Sequence, residues 1–500
     1  MIQPTIDEGR SLCHGNTIIP ICLELYSDIK TPIEVLRCLK EHNEQCYLLE
    51  SVEGGEKWGR YSFLGYDPKL IVKCKNGSVE VRQCNTNKSV SSRSIKNTHF
   101  YNDCKDPNSI LREIMSDYKS PRMDFMPPFT GGLVGYISYD YIKYTEKTLK
   151  LKNIDTVDFD DANLMLFDKV IVFDHLRQKI ILIVNIKTEN YENSYIEGVI
   201  ALKEIEQIIK SKTPSKKYKS RLISEFTPLF SKDRYCQMVE KVKQHIYEGD
   251  IFQAVISNRI EADFDGDLLS TYRALRTINP SPYMFYICFD DIQIAGASPE
   301  TLLSLKNRKL STFPIAGTCP RGKTDQEDEI LTAALLVDEK ELAEHNMLVD
   351  LGRNDLGKIS EFGTVKLDDY QKVLKFSHVS HIASTVTGTL KSGLDQFDAL
   401  TSVLPAGTLS GAPKIKACEI INNLEENKRG IYGGAIGYID FTGNMDLCIA
   451  IRMAVKKADK IYVQAGAGIV ADSIPEKEYL ECNSKAMAMI KAIQISQEVE

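Results

Sequence analysis

The amino-acid sequence predicts an α+β fold of antiparallel sheets that are flanked by helices. Apolar runs of strand length follow one another as hairpins, and segments with helical periodicity are inserted between them. No repeat at a solenoid period is evident. With 500 residues, 43% of them hydrophobic and 26% charged, the chain can bury a large core and has the balance of an ordinary soluble protein.

The composition excludes several classes of protein. The net charge of −7 argues against nucleic-acid binding, because phosphate contacts need a concentrated basic surface. No apolar run is long enough to span a bilayer, and the first residues, MIQPTIDEGRSL, lack the pattern of an export signal. The 13 cysteines are scattered singly without a CxxC pair, which is typical of reduced thiols. We therefore expect a cytoplasmic protein.

Residues 1–210 form the first predicted portion of the chain. A helix begins near Thr31, and residues 47–49 and 60–64 are predicted as strands on either side of a glycine-rich turn. The apolar runs LMLFDKVIVFD and KIILIVNI predict a hairpin of buried strands. A helix then follows over residues 191–209.

Residues 211–225 are the predicted linker, because this segment begins with a basic stretch that lacks apolar anchors. The second portion, residues 226–500, opens with the helix KDRYCQMVEKVKQHIYEGD and then alternates strands with helices. A central helix begins near Asp338 and is expected to end at Gly352, since glycine accepts the left-handed conformation. A last helix begins at Pro475.

Two of these helices carry paired carboxylates. Glu341 and Glu344 are three residues apart, so both lie on one side of the central helix. Glu478, Glu481 and Lys485 share one face of the last helix. One interpretation is a solvated helix face. The other is a Mg²⁺ site, because Mg²⁺ takes one or two carboxylates together with oxygens of an anionic substrate.

Glycines at strand ends and one arginine indicate an anionic ligand. GT, GG and GAG sequences let backbone N–H groups approach an anion closely, although such sequences are more often plain turns. Arg452 falls inside the apolar run IAIRMAV, predicted as a strand, where a buried arginine needs an anionic partner. His381 is either a packed core residue or a proton-transfer group.

Eight motifs resemble, in order, the series found in chorismate-utilising enzymes: PIAGTCPRG, DEKELAEHNMLVDLGRNDLG, FSHVSHIAS, LPAGTLSGAPK, RGIYGGAIGY, CIAIRMAV, QAGAGIVADS and PEKEYLECNSKA. In the first half, LLESVEGGEKWGRYSFLG and PPFTGGLVGYISYDY are similar to the anthranilate-forming branch of that family. The resemblance implies the large chorismate-binding α+β fold, with chorismate held between sheets and helices and a regulatory first portion.

The resemblance also implies a metal site and a general acid. Glu344 and Glu481 would ligate Mg²⁺, which would hold the ring carboxylate of chorismate, and Glu341 and Glu478 would support that shell. Glu300, in the motif GASPE, would protonate the C4 hydroxyl group as it leaves the ring.

Further residues are implied to bind the substrate or to serve the later steps. His381 would serve the elimination of pyruvate. Cys319 departs from the arginine that usually follows PIAGT, although no implied role falls on this position. The residues implied to line the substrate site are Gly317, Thr318, Thr408, Tyr432, Arg452, Gly466, Gly468 and Lys485.

Two positions distinguish the branches of the family. Relatives that add water carry a lysine base where this chain has Gln253, and aminodeoxychorismate synthases carry a lysine nucleophile where it has Ala316. The resemblance therefore implies direct addition of ammonia at C2 and an anthranilate product. The alternative is the aminodeoxychorismate synthase reaction. A catalytically silent tryptophan-sensing protein is the rival from another class, and it would be expected to have lost a metal carboxylate.

The resemblance implies two partners besides chorismate. The chain contains no GxCxGxQ-like amidotransferase nucleophile, so a separate glutamine amidotransferase subunit would supply ammonia, in an α₂β₂ assembly. Tryptophan would act as a feedback inhibitor. The residues of this implied tryptophan pocket are Leu49, Glu50, Ser51, Asn279, Pro280, Ser281, Pro282, Tyr283, Met284, Phe285 and Cys448.

Overall fold

A computed structural model describes residues 2–51, 59–84, 97–151, 153–212, 218–375 and 379–498 of the chain. Within these ranges the strands form two large antiparallel sheets, one of 14 strands and one of 12, and helices flank them. The predicted α+β class is therefore confirmed. No helix among the described residues is long and apolar enough to cross a membrane.

The described strands and helices are numbered here in chain order. The strands are β1 (Ile2–Gln3), β2 (Ile18–Tyr26), β3 (Cys46–Glu50), β4 (Tyr61–Tyr66), β5 (Leu70–Lys75), β6 (Ser78–Gln83), β7 (Thr98–Tyr101), β8 (Gly132–Ile137), β9 (Ala162–Phe167), β10 (Lys169–Asp174), β11 (Lys179–Lys187), β12 (Ser220–Leu222), β13 (Thr227–Pro228), β14 (Gln253–Gly266), β15 (Tyr283–Cys288), β16 (Ile292–Ser298), β17 (Thr301–Lys306), β18 (Lys309–Thr312), β19 (Ile315–Pro320), β20 (Lys366–Lys375), β21 (Val379–Thr389), β22 (Gly411–Ala412), β23 (Ala435–Asp440), β24 (Met445–Ile449), β25 (Met453–Lys457) and β26 (Lys460–Ile469). The helices are α1 (Ile6–Leu12), α2 (Pro32–His42), α3 (Pro107–Ser116), α4 (Tyr191–Lys210), α5 (Lys232–Tyr247), α6 (Leu269–Ile278), α7 (Asp325–Leu335), α8 (Glu339–Gly357), α9 (Gln396–Val403), α10 (Lys414–Glu425) and α11 (Pro475–Ser496), and Gly407–Leu409 forms a short 3₁₀ turn.

The larger sheet is buried on both faces. Its strand order is β1-β2-β11-β10-β4-β3-β15-β16-β25-β26-β14-β12, and β13 and β22 also pair with β14. Along β11, Ile181 and Ile183 lie in the core shared with the smaller sheet, whereas Ile180 and Leu182 lie in the core under the helices. Because successive side chains of a strand point to opposite faces, burial of both faces produces the uninterrupted apolar run KIILIVNI.

The smaller sheet has the strand order β19-β21-β18-β17-β24-β23-β8-β9-β5-β6-β7, and β20 also pairs with β21. Strands from before and after the predicted linker meet in both sheets, as in the pairs β3–β15 and β8–β23. The division into two portions, residues 1–210 and 226–500, with a linker at 211–225, stays a prediction. Residues 213–217 of the linker lie outside the described residues.

Several predicted helices form where the sequence indicated. Helix α2 begins after Thr31, whose side chain accepts a hydrogen bond from the backbone N–H of Glu34. Helices α4, α5 and α11 match their predicted segments. Helix α3 was not predicted, although Asp106 and Pro107 form a recognisable helix start before it.

The run LMLFDKVIVFD was wrongly predicted as one side of a hairpin. It contains two strands, β9 in the smaller sheet and β10 in the larger sheet, with Asp168 between them. The hairpin is formed by β10 and β11. Since both strands are buried, the apolar run does not show that the chain passes from one sheet to the other.

The predicted end of the central helix at Gly352 was wrong, because α8 continues to Gly357. A Cβ atom at position 352 would lie 3.2 Å from Cγ2 of Thr312 and 3.6 Å from Cγ2 of Val386. The glycine therefore allows the helix to approach the smaller sheet closely, rather than ending the helix.

Candidate active site

The candidate site lies where the chain passes between the two sheets. Glu300 lies between β16 of the larger sheet and β17 of the smaller one, and Arg452 lies between β24 and β25 on the way back. The prediction that Arg452 falls inside a strand was therefore wrong. Arg452 has a left-handed backbone with φ 51°. The Ile449 N–H donates to the carbonyl of Glu300 over 3.0 Å, and the Ala297 N–H donates to that of Arg452 over 3.0 Å, so the two passages are joined.

Glu300 has the environment of a general acid. Its Oε2 accepts a hydrogen bond from Oγ1 of Thr408 at 3.0 Å. Burial raises the pKa of Glu300, while the Thr408 hydrogen bond and the charges of Lys485 and Arg452 oppose that rise. Because the net shift of the pKa is upward, the carboxyl group of Glu300 is more readily protonated here than it would be in water. A protonated carboxyl group can give up a proton during a reaction.

Arg452 is held near other predicted substrate residues. Burial lowers its pKa, and the neighbouring Glu300 and Tyr432 oppose that shift. On strand β26, a Cβ atom at Gly466 would lie 3.0 Å from the hydroxyl of Tyr432, and one at Gly468 would clash with Nε2 of Gln253. Both glycines therefore leave room for the side chains of neighbouring segments, and Gln253 and Tyr432 converge on β26.

His381 and Thr318 face each other across the pair β19–β21. Nδ1 of His381 lies 2.9 Å from Oγ1 of Thr318 and 3.2 Å from the carbonyl oxygen of Gly317. Burial lowers the pKa of His381, and the positive charge of Arg452 lowers it further, whereas the contact with Gly317 opposes this. A neutral imidazole is therefore favoured, which can accept a proton. Cys319, the departure from the family motif, packs in a small core cluster with Leu335 and Ile382.

The predicted metal carboxylates influence one another across α8 and α11. Burial raises the pKa of Glu344, and the negative charges of Glu341 and Glu481 raise it further, whereas Lys485 lowers it. Burial also raises the pKa of Glu478, and Glu481 adds to the rise. Repulsion between carboxylates on two helices fits a hard cation with oxygen ligands. Within the described ranges, no three of these carboxylates place ligand atoms within 4.8 Å of one another.

Two contacts attach these helices to the predicted substrate residues. The Thr318 N–H donates to Oε2 of Glu341 over 3.3 Å, so α8 is joined to β19. Nζ of Lys485 lies 2.7 Å from Oε1 of Glu481 and donates to the carbonyl of Gly466 over 3.2 Å, so α11 is joined to β26. The sequence-predicted carboxylate, ring-site and glycine residues thus belong to one connected region.

The predicted tryptophan-pocket residues also come together. The pair β3–β15 sets Leu49 opposite Phe285 and Glu50 opposite Met284, and Cys448 on β24 lies opposite Thr301. Phe285 and Cys448 are buried in the core between the sheets, and Leu49 and Tyr283 pack against it, whereas Met284 lies in the core under the helices. Residues 279–282, which are Asn279, Pro280, Ser281 and Pro282, connect α6 to β15, and Ser51 directly follows β3.

Glu50, one of the predicted tryptophan-pocket residues, is buried and has partners that the sequence did not reveal. Its Oε1 accepts a hydrogen bond from the hydroxyl of Tyr272 at 2.5 Å. Nε of Arg276 lies 2.6 Å from the same oxygen. Tyr272 and Arg276 are four residues apart on α6, so only the helical spacing could have suggested that they act together.

An ion pair that sequence analysis missed fixes several site segments. Arg429 is 2% exposed and Glu425 is 3% exposed. Nε of Arg429 donates to Oε2 of Glu425 at 2.8 Å, and its other nitrogens donate to the carbonyls of Leu409 and Val255 at 2.6 Å each. Oε1 of Glu425 accepts hydrogen bonds from the backbone and hydroxyl of Ser257. The pair therefore ties together β14, the 3₁₀ turn that carries Thr408 and the segment that leads to Tyr432.

Comparison with known proteins identifies what the chain resembles. The family described as chorismate binding enzyme matches residues 83–491. Anthranilate synthase component 1 of Acetivibrio thermocellus is 45% identical over 511 residues, covering 100% of both chains. The protein of the same name from Aquifex aeolicus is 41% identical, covering 99% of this chain and 98% of the other.

Solved structures agree with the architecture. The crystal structure of anthranilate synthase component I from Streptococcus pneumoniae has a TM-score of 0.75 and 37% identity, covering 93% of this chain and 98% of the other. The isochorismate synthase MenF from Escherichia coli has a TM-score of 0.68 at 18% identity, covering 98% of each chain. At that identity, the likeness to MenF shows the fold alone.

The buried pair gives a prediction about stability. Replacing Arg429 by methionine leaves Glu425 buried without its cation, so we expect a loss of about 3–5 kcal/mol in the free energy of unfolding. The matched control is Arg353→Met, because Arg353 forms an exposed pair with Asp350; its loss should be about 0–1 kcal/mol. Urea unfolding followed by circular dichroism measures both, and equal losses would contradict the importance of the buried pair.

Proposed function

The chain belongs to the family of chorismate-binding enzymes, and we propose that it aminates chorismate at C2 with ammonia and eliminates pyruvate to form anthranilate. It is then a lyase that catalyses the first step of tryptophan biosynthesis. The observation that carries this choice is the absence of an amine at the two positions that distinguish the branches of the family. Gln253 lies against Gly468, and Ala316 lies beside Gly317 on β19. Neither side chain can activate water or attack the ring as lysine does.

Binding of the substrate uses the cationic and small residues around β26. Arg452 and Tyr432 bind the enolpyruvyl carboxylate, because a buried guanidinium group is stabilised by an anion in its vicinity. Gly466 and Gly468 would contribute backbone groups, and the space that a side chain would take at each is occupied by Tyr432 and Gln253, which can therefore lie against β26 beside the carboxylate. Gly317, Thr318, Thr408 and Lys485 line the ring.

The reaction uses one acid and one base of this chain. Glu300 gives its proton to the C4 hydroxyl, which leaves as water while ammonia forms a bond to C2. The new ammonium group loses one proton. His381, whose neutral form is favoured by burial, then serves the removal of the C2 proton, and the enolpyruvyl group takes up a proton and leaves as pyruvate. The ring becomes aromatic, and the amino group stands ortho to the carboxylate.

The acidic faces of α8 and α11 would hold Mg²⁺. Glu344 and Glu481 would be its ligands, with Glu341 and Glu478 as supporting carboxylates. When bound, the ion would neutralise the ring carboxylate of chorismate and polarise the ring for attack. The support for this assignment is the set of four carboxylates on the two helices, where burial, and after it the charges of neighbouring carboxylates, raise the pKa values of Glu344 and Glu478.

Nitrogen supply and regulation involve two further molecules. A glutamine amidotransferase subunit delivers ammonia, and the two subunits form an α₂β₂ heterotetramer in the cytoplasm. Tryptophan inhibits the enzyme by binding in the tryptophan pocket defined above. The support is that Leu49, Phe285 and Cys448 meet at the core between the sheets, where Leu49 and Phe285 are cross-strand neighbours.

Product identification tests the function directly. The chain alone, supplied with chorismate, ammonium and Mg²⁺, should be active, because ammonia is the only nucleophile that the site needs. It should form anthranilate and pyruvate in equal amounts, since each turnover releases one molecule of each. With glutamine as the only nitrogen source it should be inactive until an amidotransferase subunit is added. Chromatography with mass detection measures the products. A main product of isochorismate, salicylate or a para-amino acid would refute the proposal, and so would glutamine-driven turnover by the chain alone.

Removal of one carboxylate tests the metal site. Glu344→Gln or Glu481→Gln should abolish Mg²⁺-dependent turnover with a normal circular dichroism spectrum, because each change removes one charged ligand. The matched control is Glu339→Gln, since Glu339 lies exposed in the first turn of the same helix. Turnover is measured while Mg²⁺ is titrated, and chelation should stop the parent enzyme. Near-normal activity of either ligand variant would show that the ligands are misassigned.

A bulky side chain tests the regulatory site. Ser51→Phe should weaken inhibition by tryptophan at least tenfold without a large change in the uninhibited rate, because it fills space beside β3. The control is Ser116→Phe, at the exposed end of α3. Tryptophan should inhibit this variant as strongly as it inhibits the parent. The measurement is the tryptophan concentration that halves the rate. Unchanged sensitivity in Ser51→Phe would place the tryptophan pocket elsewhere.

A further inference from the structure

A cavity of about 50 Å³ lies beside the general acid. Glu300 and Thr408 line it together with Val403, and α8 contributes Leu348, Leu351, Gly352 and Asp355. A cavity needs room for about one probe sphere, or roughly 10–15 Å³, to hold a water molecule, and the water needs polar partners. Glu300, Thr408 and Asp355 supply polar groups in a wall that is otherwise mostly apolar. The cavity is therefore large enough and polar enough for water.

Asp355 supplies an independent reason to expect water there. It is 6% exposed. Its Oδ2 accepts a hydrogen bond from Nζ of Lys414 at 2.7 Å. Its buried Oδ1 has no hydrogen-bond partner among the described residues, and Nζ of Lys358 lies 3.6 Å away. Lys358 at this distance makes only a weak contact, and because Asp355 lines the cavity, water there can donate to its carboxylate.

We propose that Asp355 returns a proton to Glu300 through water in this cavity, so that the general acid is recharged from the side away from the substrate. This rests on the proposed function, in which Glu300 gives one proton to the leaving hydroxyl in each turnover. An O–H bond of a cavity water breaks as its proton passes to the Glu300 carboxylate, and Asp355 replaces that proton from solvent. The ammonium group releases one proton to solvent, so the cycle consumes none overall.

Positively charged groups flank both ends of the route. Lys485 and Arg452 face Glu300, and Lys414 and Lys358 face Asp355. The side chain of Lys358 is 51% exposed, so the Asp355 end of the route lies close to solvent. Thr408 donates to Glu300 and also lines the cavity, so its hydroxyl holds the carboxyl at the cavity wall.

The test compares substitutions of Asp355 in the full chain with ammonium as the nitrogen source. Asp355→Asn removes the titratable group at nearly constant size, so kcat for chorismate consumption should fall about 10–100-fold, within the range of acid–base effects. KM for chorismate should change less than about twofold, because Asp355 is not a substrate contact. The solvent deuterium isotope effect on kcat should rise, since proton return becomes slow. Asp355→Glu should recover most of kcat, because it restores a titratable carboxyl group.

Two further variants separate a relay from a structural role. Asp350→Asn is the matched control, because Asp350 is an exposed aspartate on the same helix, and it should behave as the parent. Val403→Ile adds one methylene group to the cavity wall without touching a charge, and it should also lower kcat by displacing water. If Asp355→Asn fails to fold, the kcat of Val403→Ile still tests whether water in the cavity is needed.

The outcomes distinguish this proposal from the proposed function. Unchanged kcat in Asp355→Asn, or equal losses in Asp355→Asn and Asp355→Glu, would overturn the relay. A loss confined to KM would do the same, since it indicates a distorted site. A parent enzyme that consumes chorismate but forms another product would refute the proposed function alone, because the comparison of kcat concerns Glu300 and not the nucleophile.

Discussion

The ion pair between Arg429 and Glu425 is the constraint on which the site depends. Burying two charges is costly, and this pair offsets the cost only because each partner makes further hydrogen bonds to backbone groups. Those bonds reach β14, the 3₁₀ turn and the segment after α10. Gln253, Thr408 and Tyr432 lie on these three segments, so one buried pair sets the relative positions of residues that are far apart in the chain.

The two-sheet architecture explains why ionisable groups can be buried in this region. At Glu300 and Arg452 the chain leaves one sheet for the other, and backbone groups there are not engaged in a regular ladder. Side chains at such points enter the space between sheets and helices, where burial shifts their pKa values. The same low-polarity surroundings favour a protonated Glu300 and a neutral His381, so one environment produces an acid and a base.

Local sequence signals predicted the elements better than their assembly. The fold class, α8, α11 and the common face of their glutamates follow from periodicity and helix starts, because these depend on neighbouring residues. The placement of β9 and β10 in different sheets, the role of Gly352 and the position of Arg452 depend on contacts distant in sequence. The site residues came from the resemblance of motifs to a family. Arg429 and Glu425 were missed because an i, i+4 pair of charges in sequence looks like any solvated helix face.

The pairing of β3 with β15 has a consequence for how the protein is made. A strand from the start of the chain is hydrogen-bonded between β4 and β15, which leaves the ribosome much later. Contacts of such long sequence separation slow folding, because the loop must close before the contact can form. The edge of β3 therefore stays unpaired until β15 has been synthesised. If synthesis ends prematurely, that edge remains exposed and can pair with other chains, which leads to aggregation. If the gene were divided at the predicted linker, it would encode two polypeptides. Each could complete its sheets only when both polypeptides are produced together.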